Sequence, residues 1–222
     1  MSAASEGATP VGLTPAAEGG ELIGQESPEV MGRALAVTAR LLAGASTFFF
    51  LAFLFAYFYL RSINQDNMWR PHHVKPSAGL GVAFIVCLVL SAALALLASR
   101  GMKSGSRSWP TPALIAVALG LAAIVFQCIE YTVQNFGPTD GAFASVFCAW
   151  TAFFMLVTIG ALYWLETQVA TELRARREPA GTRGEDIAGP DLLIGPALDA
   201  AAFYWAFLAG IGVITYVTLY LL

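Results

Sequence analysis

The chain has 222 residues, 57% of them hydrophobic and 12% charged, with a mean hydropathy of +0.66. A soluble domain carries about 25% charged residues, so this composition excludes an ordinary water-surrounded globule. The formal net charge is −3, and no basic stripe with interleaved aromatics points to nucleic acid.

Residues 1–32 are rich in Ala, Gly, Glu and Pro and contain no apolar run. They lack the basic start and apolar middle of a signal peptide. Their composition predicts a polar tail, extended or disordered. From residue 33 to 222 the chain reads as one membrane domain. Apolar runs at about 41–60, 78–98, 112–133, 142–165 and 200–222 each match the length of a bilayer crossing. A hydrocarbon core of ~30 Å takes about 20 helical residues at ~1.5 Å each. Lipid offers an open backbone no partner, so a spanning segment is a helix or a barrel strand. These runs are too long and too evenly apolar for strands of about 10 alternating residues. The predicted fold class is all-α, a polytopic membrane protein with a five-transmembrane-helix bundle.

Run 1 is dense in phenylalanine (Phe48, Phe49, Phe50, Phe53, Phe55, Phe58), with rings on every side. Such a helix touches both lipid and protein. The stretch from Asn64 to Pro71 is a polar turn. Run 2 is rich in small residues (Ser91, Ala92, Ala93, Ala95), which permits close helix packing. Pro110 and Pro112 stand at the start of run 3, where a missing N–H costs nothing. Gly137-Pro138 closes that run with a short turn. Run 4 is predicted to continue as helix through Glu166–Arg177. Residues 178–199 hold Pro179, Gly181, Gly184, Gly189, Pro190, Gly195 and Pro196 and are predicted to be a loop. The connection 166–199 would lie in the cytoplasm.

Basic residues divide unequally between the two sides. Arg33, Arg40, Arg100, Lys103, Arg107, Arg174, Arg176, Arg177 and Arg183 fall on one side, and only Arg61, Arg70 and Lys75 on the other. The positive-inside rule then predicts a cytoplasmic N-terminus and an outer C-terminus. Tyr57 and Tyr59 would join the outer interfacial belt, and Trp164 and Trp205 the inner one.

Polar candidates inside the runs are few. Glu130 is the only acidic residue well inside one. A charge there costs about 2.5–3.5 kcal/mol at mid-span, so it needs a partner, a protonated form or a function. Gln127, Glu130, Tyr131 and Gln134 recur at helical spacing as one polar stripe. Arg61 lies at similar depth, at the outer end of run 1. The stripe reads either as a structural pair, Glu130–Arg61, or as a proton-linked or lipid-headgroup site. His72 and His73 are the only histidines and sit in the outer loop. Adjacent histidines point apart and chelate poorly. No run contains a histidine, so no heme or copper centre is expected in this chain. Cys87, Cys128 and Cys148 fall within runs, form no CxxC pair and read as apolar filler. Ser91 and Ser145 have no basic partner for nucleophilic catalysis. Thr158 and Thr215 are expected to return their hydroxyls to the backbone four residues back.

Several segments together carry a resemblance. They are Phe48-Phe49-Phe50-Leu51-Ala52-Phe53-Leu54-Phe55-Ala56-Tyr57-Phe58-Tyr59-Leu60-Arg61, then Trp69-Arg70-Pro71, and Gln127-Cys128-Ile129-Glu130-Tyr131. Ala144-Ser145-Val146-Phe147 with Thr151, and Tyr204-Trp205, follow. Their order and spacing over about 30–222 resemble subunit III of the heme–copper (cytochrome c) oxidases, in its short five-helix bacterial form. The corresponding family patterns are a Trp followed by prolines, Q-x-x-E-Y, G-S-x-F followed by T-G-F-H, and Y-W-H-F-V-D. The chain departs from them at several points. Ser46 stands where the family has an acidic residue, Phe154 and Val157 where it has two histidines, and Ala206 and Ala209 where it has His and Asp. The polar cluster joining runs 1, 4 and 5 is expected to be lost, while the Gln127–Glu130 pair survives.

The resemblance implies an accessory, non-catalytic subunit of a proton-translocating oxidoreductase in the bacterial cytoplasmic (inner) membrane. No cofactor is implied in this chain. Heme and copper would belong to partner subunits, with oxygen reduced to water at subunit I. Subunit I would be the main partner. Subunit II, other small subunits or a supercomplex would be further ones, and phospholipid would bind in a cleft between helices. The family's role is to stabilise subunit I. Glu130, Gln127, Tyr131, Arg61 and Trp69 are the structural or lipid-binding candidates; no catalytic or metal residue is expected. The tail and the loop 166–199 exceed the short form and would clasp a neighbouring subunit. Two rival readings remain. One is an accessory subunit of a nitric oxide reductase on the same scaffold. The other is a small permease, which needs a polar path or helices broken at mid-depth. Runs 1, 2 and 4 lack both, although Gly210 and Gly212 weaken run 5.

Overall fold

The computed structural model describes residues 28–64, 69–177 and 190–222. Among them, five α-helices follow one another: α1 Pro28–Ser62, α2 Ala78–Lys103, α3 Pro110–Val133, α4 Ala142–Arg177 and α5 Pro190–Tyr216, the last running into a π-helical turn at Val217–Leu221. All five are long and apolar enough to cross a membrane. The chain is an all-α, multi-pass membrane protein.

Most helix ends lie where the sequence places them. Pro110 and Pro112 occupy the first turn of α3. α4 continues without a break through Glu166 to Arg177. Two boundaries differ. α1 begins at Pro28, so residues 28–32 are helix rather than tail; the stretch 28–40 mixes Ala, Arg, Leu and Met, all good helix formers. α5 begins at Pro190, so 190–199 are helix rather than loop. Proline at a first helical position fits its fixed φ. Pro196, inside α5, is a packing surface: a Cβ on Gly32 of α1 would meet its Cγ at 3.2 Å. The tail 1–27, the turn residues 65–68 and the segment 178–189 lie outside the described residues.

α5 is the central helix, packed on α1, α2 and α4, while α3 bridges α2 and α4. The α2–α3 seam is made of small residues. Ser91, Ala92, Ala95 and Ala98 of α2 and Ala113, Ala116, Gly120 and Ala123 of α3 are buried, whereas Ala93 faces outward. Lipid gives helices no hydrophobic push toward each other, so close backbones and hydrogen bonds must join them. Ser91 supplies both: its Oγ donates to the Ala116 carbonyl at 2.5 Å and accepts from Trp205 Nε1 at 2.9 Å. Trp205 is therefore a buried knot in the core, not part of an interfacial belt. Its indole needs a partner once buried, and Ser91 provides it.

On α1 the rings divide by face. Phe50, Phe53 and Tyr57 turn inward at helical spacing; Phe50 meets Phe154 edge-on at 5.6 Å and Phe53 stacks on Trp150 at 6.0 Å. Phe48 and Phe55, 76% and 69% exposed, point outward. Cys87 and Cys148 are half-buried, as filler should be, but Cys128 lies on an outer face.

At the other end of the bundle Asp199 of α5 meets Lys103 at 2.8 Å and accepts from Ser99 Oγ at 2.8 Å. The loop assigned to 178–199 had hidden this acid. The two charged side chains are 59% and 44% exposed, and such pairs contribute about 0–1 kcal/mol. Lys103→Met is expected to leave the thermal unfolding midpoint in detergent nearly unchanged. A large drop would mean that the pair is sealed from water by something seated over it.

Candidate functional site

Gln127 and Glu130 lie three residues apart near the C-terminal end of α3, so their side chains share a face. Both are buried, Glu130 completely. Glu130 Oε2 accepts from Gln127 Nε2 at 3.1 Å and from the Tyr220 hydroxyl at 2.6 Å. The backbone N–H of Ser77, at the start of α2, faces the same carboxyl, and a helix N-terminus favours negative charge. No hydrogen bond of good geometry reaches Oε1. Glu130 thus joins α3 to the start of α2 and the end of α5.

Tyr220 reaches this acid through the π turn. In that turn the Leu222 N–H bonds back five residues to the Val217 carbonyl at 3.1 Å, which widens the last turn. The ring packs against Tyr216 at 5.0 Å and Phe147 at 5.7 Å. It sits so close to α2 that a Cβ on Gly81 would fall 2.6 Å from it. Sequence gave no sign of this partner: a tyrosine at the end of an apolar run reads as an interfacial anchor, and π turns have no sequence signature of their own.

The expected Glu130–Arg61 pair does not form. Arg61 Nη1 donates to the Tyr57 hydroxyl at 3.4 Å, and its guanidinium stands 6.0 Å from the Tyr57 ring centre. The reason lies in the packing: α1 lies against α4 and α5, and α3 against α2 and α4, so equal depth does not bring the two residues together. The polar stripe also divides. Gln127 and Glu130 face α2 and α5, whereas Tyr131 and Gln134 face α4. The Tyr131 hydroxyl is buried toward Thr151 without a hydrogen bond of good geometry. Gln134 Nε2 donates to the Phe136 carbonyl at 3.0 Å.

Trp69 is the hub of a second cluster. Its carbonyl accepts from the Phe143 N–H at 3.1 Å, and its ring meets Tyr57 at 5.2 Å and Phe143 at 5.7 Å, both edge-on. Arg70 caps the Phe143 ring at 4.5 Å, a cation–π contact. The turn between α1 and α2 is thereby fixed to the first turn of α4. Phe143 and Phe147, 6.0 Å apart, connect this cluster to Tyr220.

On the flank of the bundle an apolar groove of about 340 Å³ opens between α1 and α4, lined by Leu42, Phe49, Phe153, Val157, Trp164 and Tyr204 among others. At its base Ser46 Oγ and Tyr204 OH lie 2.8 Å apart, buried and hydrogen-bonded. The polar connection between spans 1 and 5 is therefore reduced to two uncharged hydroxyls rather than lost. At the two positions where the family pattern has histidines, Val157 lines the groove and Phe154 packs in the core. Among the described residues no three His, Cys, Asp or Glu side chains converge as metal ligands.

Comparison with known proteins agrees with the fold. A family model described as "Cytochrome c oxidase subunit III" matches residues 16–175. The cytochrome c oxidase subunit 3 of Marchantia polymorpha is 28% identical over 179 residues, covering 78% of this chain and 62% of that protein. Those of Tachyglossus aculeatus aculeatus and Mus musculus are 26% and 25% identical over 182 residues, each covering 79% of this chain and 65% of the relative. The chain thus spans less than two thirds of the length of these relatives.

Proposed function

This chain belongs to the cytochrome c oxidase subunit III family, and from that premise we propose that it is an accessory, cofactor-free subunit of a bacterial respiratory terminal oxidase. It stabilises the catalytic subunit I, which with subunit II carries the heme and copper and reduces oxygen to water. It lies in the cytoplasmic membrane with its N-terminus inside, the side to which most Lys and Arg are assigned. It holds phospholipid against α1 and α4.

The observation that carries this reading is the groove. It is open on one side, almost wholly apolar, and floored by Ser46 and Tyr204, which suits an acyl chain rather than a polar solute. The placement of the polar side chains supports a scaffold. Both histidines sit exposed in the α1–α2 connection, and Ser46, Ser91, Ser99 and Glu130 each bond across to another helix.

Tagging the chain and purifying it in mild detergent tests the proposal. Oxidase subunits carrying heme are expected to copurify, with phospholipid retained. Gly160→Trp fills the groove from a position where an added Cβ meets nothing within 4 Å and is expected to lower the retained phospholipid while the subunits still copurify. A stoichiometric heme band on the isolated chain, or copurification with no oxidase subunit, would overturn the assignment.

A further inference from the structure

Thr215 departs from the hydrogen bond expected within its own helix. Thr158 and Thr218 donate to the carbonyl four residues back, at 2.7 and 2.8 Å. The Thr215 hydroxyl is equally buried but has no partner among the described residues. Thr215 instead lines a small cavity of about 10 Å³, together with Gln127, Thr151, Phe154, Gly212 and Tyr220. That is close to the ~10–15 Å³ that one water needs, provided that it also finds two to four polar partners.

Three partners are available. Thr151 Oγ1 gives its proton to the Phe147 carbonyl at 2.7 Å, which leaves two lone pairs, one on the side of the Tyr131 hydroxyl and one to accept from the cavity. Gln127 turns Nε2 to Glu130, which leaves the amide oxygen as an acceptor. Thr215 has a hydroxyl proton to donate. A water can accept from Thr215 and donate one proton each to Thr151 and Gln127, so every group is satisfied. A buried hydroxyl without such a partner is unfavourable, and apolar residues alone would leave the cavity dry.

We propose that one water molecule resides in this cavity, held by Thr215, Thr151 and Gln127. The layer around Glu130 is then hydrated inside the bundle rather than closed by protein groups alone. Through Gln127 the water is one hydrogen bond removed from the Glu130 carboxyl.

A density map of the full chain in the assembly with which it copurifies, at a resolution that shows ordered waters, tests it. A peak is expected within hydrogen-bonding distance of Thr215 Oγ1, Thr151 Oγ1 and the Gln127 amide. An empty cavity would overturn the proposal. Two variants give a second reading. Thr215→Val keeps the shape and removes the hydroxyl; it is expected to lose the peak and to lower the unfolding midpoint, while Thr215→Ser keeps both near wild type. If Thr215→Val is as stable as wild type or more so, the hydroxyl was unpaired in a dry cavity and the water site is wrong.

Discussion

Gly120→Val is expected to yield little or no folded protein. A Cβ at Gly120 would stand 2.7 Å from Leu162 Cδ1, 2.9 Å from Trp205 Cζ2 and 3.4 Å from Ser91 Oγ. The tip of Leu162 can rotate away. Trp205 cannot, because it is fully buried and its Nε1 is engaged by Ser91. Moving it would also disturb the Ser91 bond to Ala116, so one added side chain disrupts α2, α3, α4 and α5 together. Overpacking typically costs about 1–3 kcal/mol, and Gly120→Ala should fall in that range. Valine adds two more carbons against the same rigid ring and should exceed it. Gly210→Val is the matched control: it makes the same change on an outward face of α5, where nothing lies within 4 Å of the added atom. Yield and elution profile in detergent read the result. If Gly120→Val behaves like Gly210→Val, the close approach at Gly120 does not hold the bundle together.

Glu130→Ala is expected to be the most destabilising polar substitution. It strands the Gln127 amide and the Tyr220 hydroxyl, both of which now donate to Oε2. A buried donor left without an acceptor costs about 1–3 kcal/mol, and the vacated volume adds a cavity term. Glu130→Gln keeps an acceptor oxygen in nearly the same place, so its effect should be well under half that of alanine. Tyr220→Phe removes one donor and should fall between them. Arg61→Gln provides the contrast, because Arg61 bonds to Tyr57 and not to Glu130. In a double-mutant cycle, Glu130 and Tyr220 should couple while Glu130 and Arg61 should not. Strong coupling of Glu130 to Arg61 would restore the ion pair that the sequence suggested.

What could be read from sequence follows from what is periodic and local. The five spans were legible because bilayer thickness fixes helix length. The small-residue seam of α2 and the proline start of α3 were legible because both are local rules. Most of the failures share one cause, which is that depth along a helix says nothing about facing direction between helices. Glu130 and Arg61 share a depth but not a neighbour. Trp205 reads from sequence as an interfacial anchor but is a core residue, because Ser91 stands opposite it on another helix. Asp199 was missed because Gly195-Pro196 looked like loop; in the fold Pro196 instead offers α1 a flat surface to pack on. Thr215 was expected to bond within its helix, a habit that Thr158 follows, but the nearby cavity depends on four helices and leaves no trace in any one of them. The family resemblance rested on ordered short motifs and survived comparison, although the residues that distinguish this chain, Ser46 and Val157, were legible only as departures.

The position of α1 sets an order of disassembly. α2, α3 and α5 are joined by the Ser91–Trp205 and Ser91–Ala116 bonds and by Lys103–Asp199. α1 is joined to its neighbours by the Ser46–Tyr204 hydroxyl pair and by ring edges spaced along α4. Contacts of the second kind can open one after another, whereas the first kind must open together. Proteins open in such units, with free energies from near zero up to the global value. α1 is therefore the segment whose amides should exchange first, and the same opening that exposes them would let a lipid tail enter or leave the groove beside Ser46.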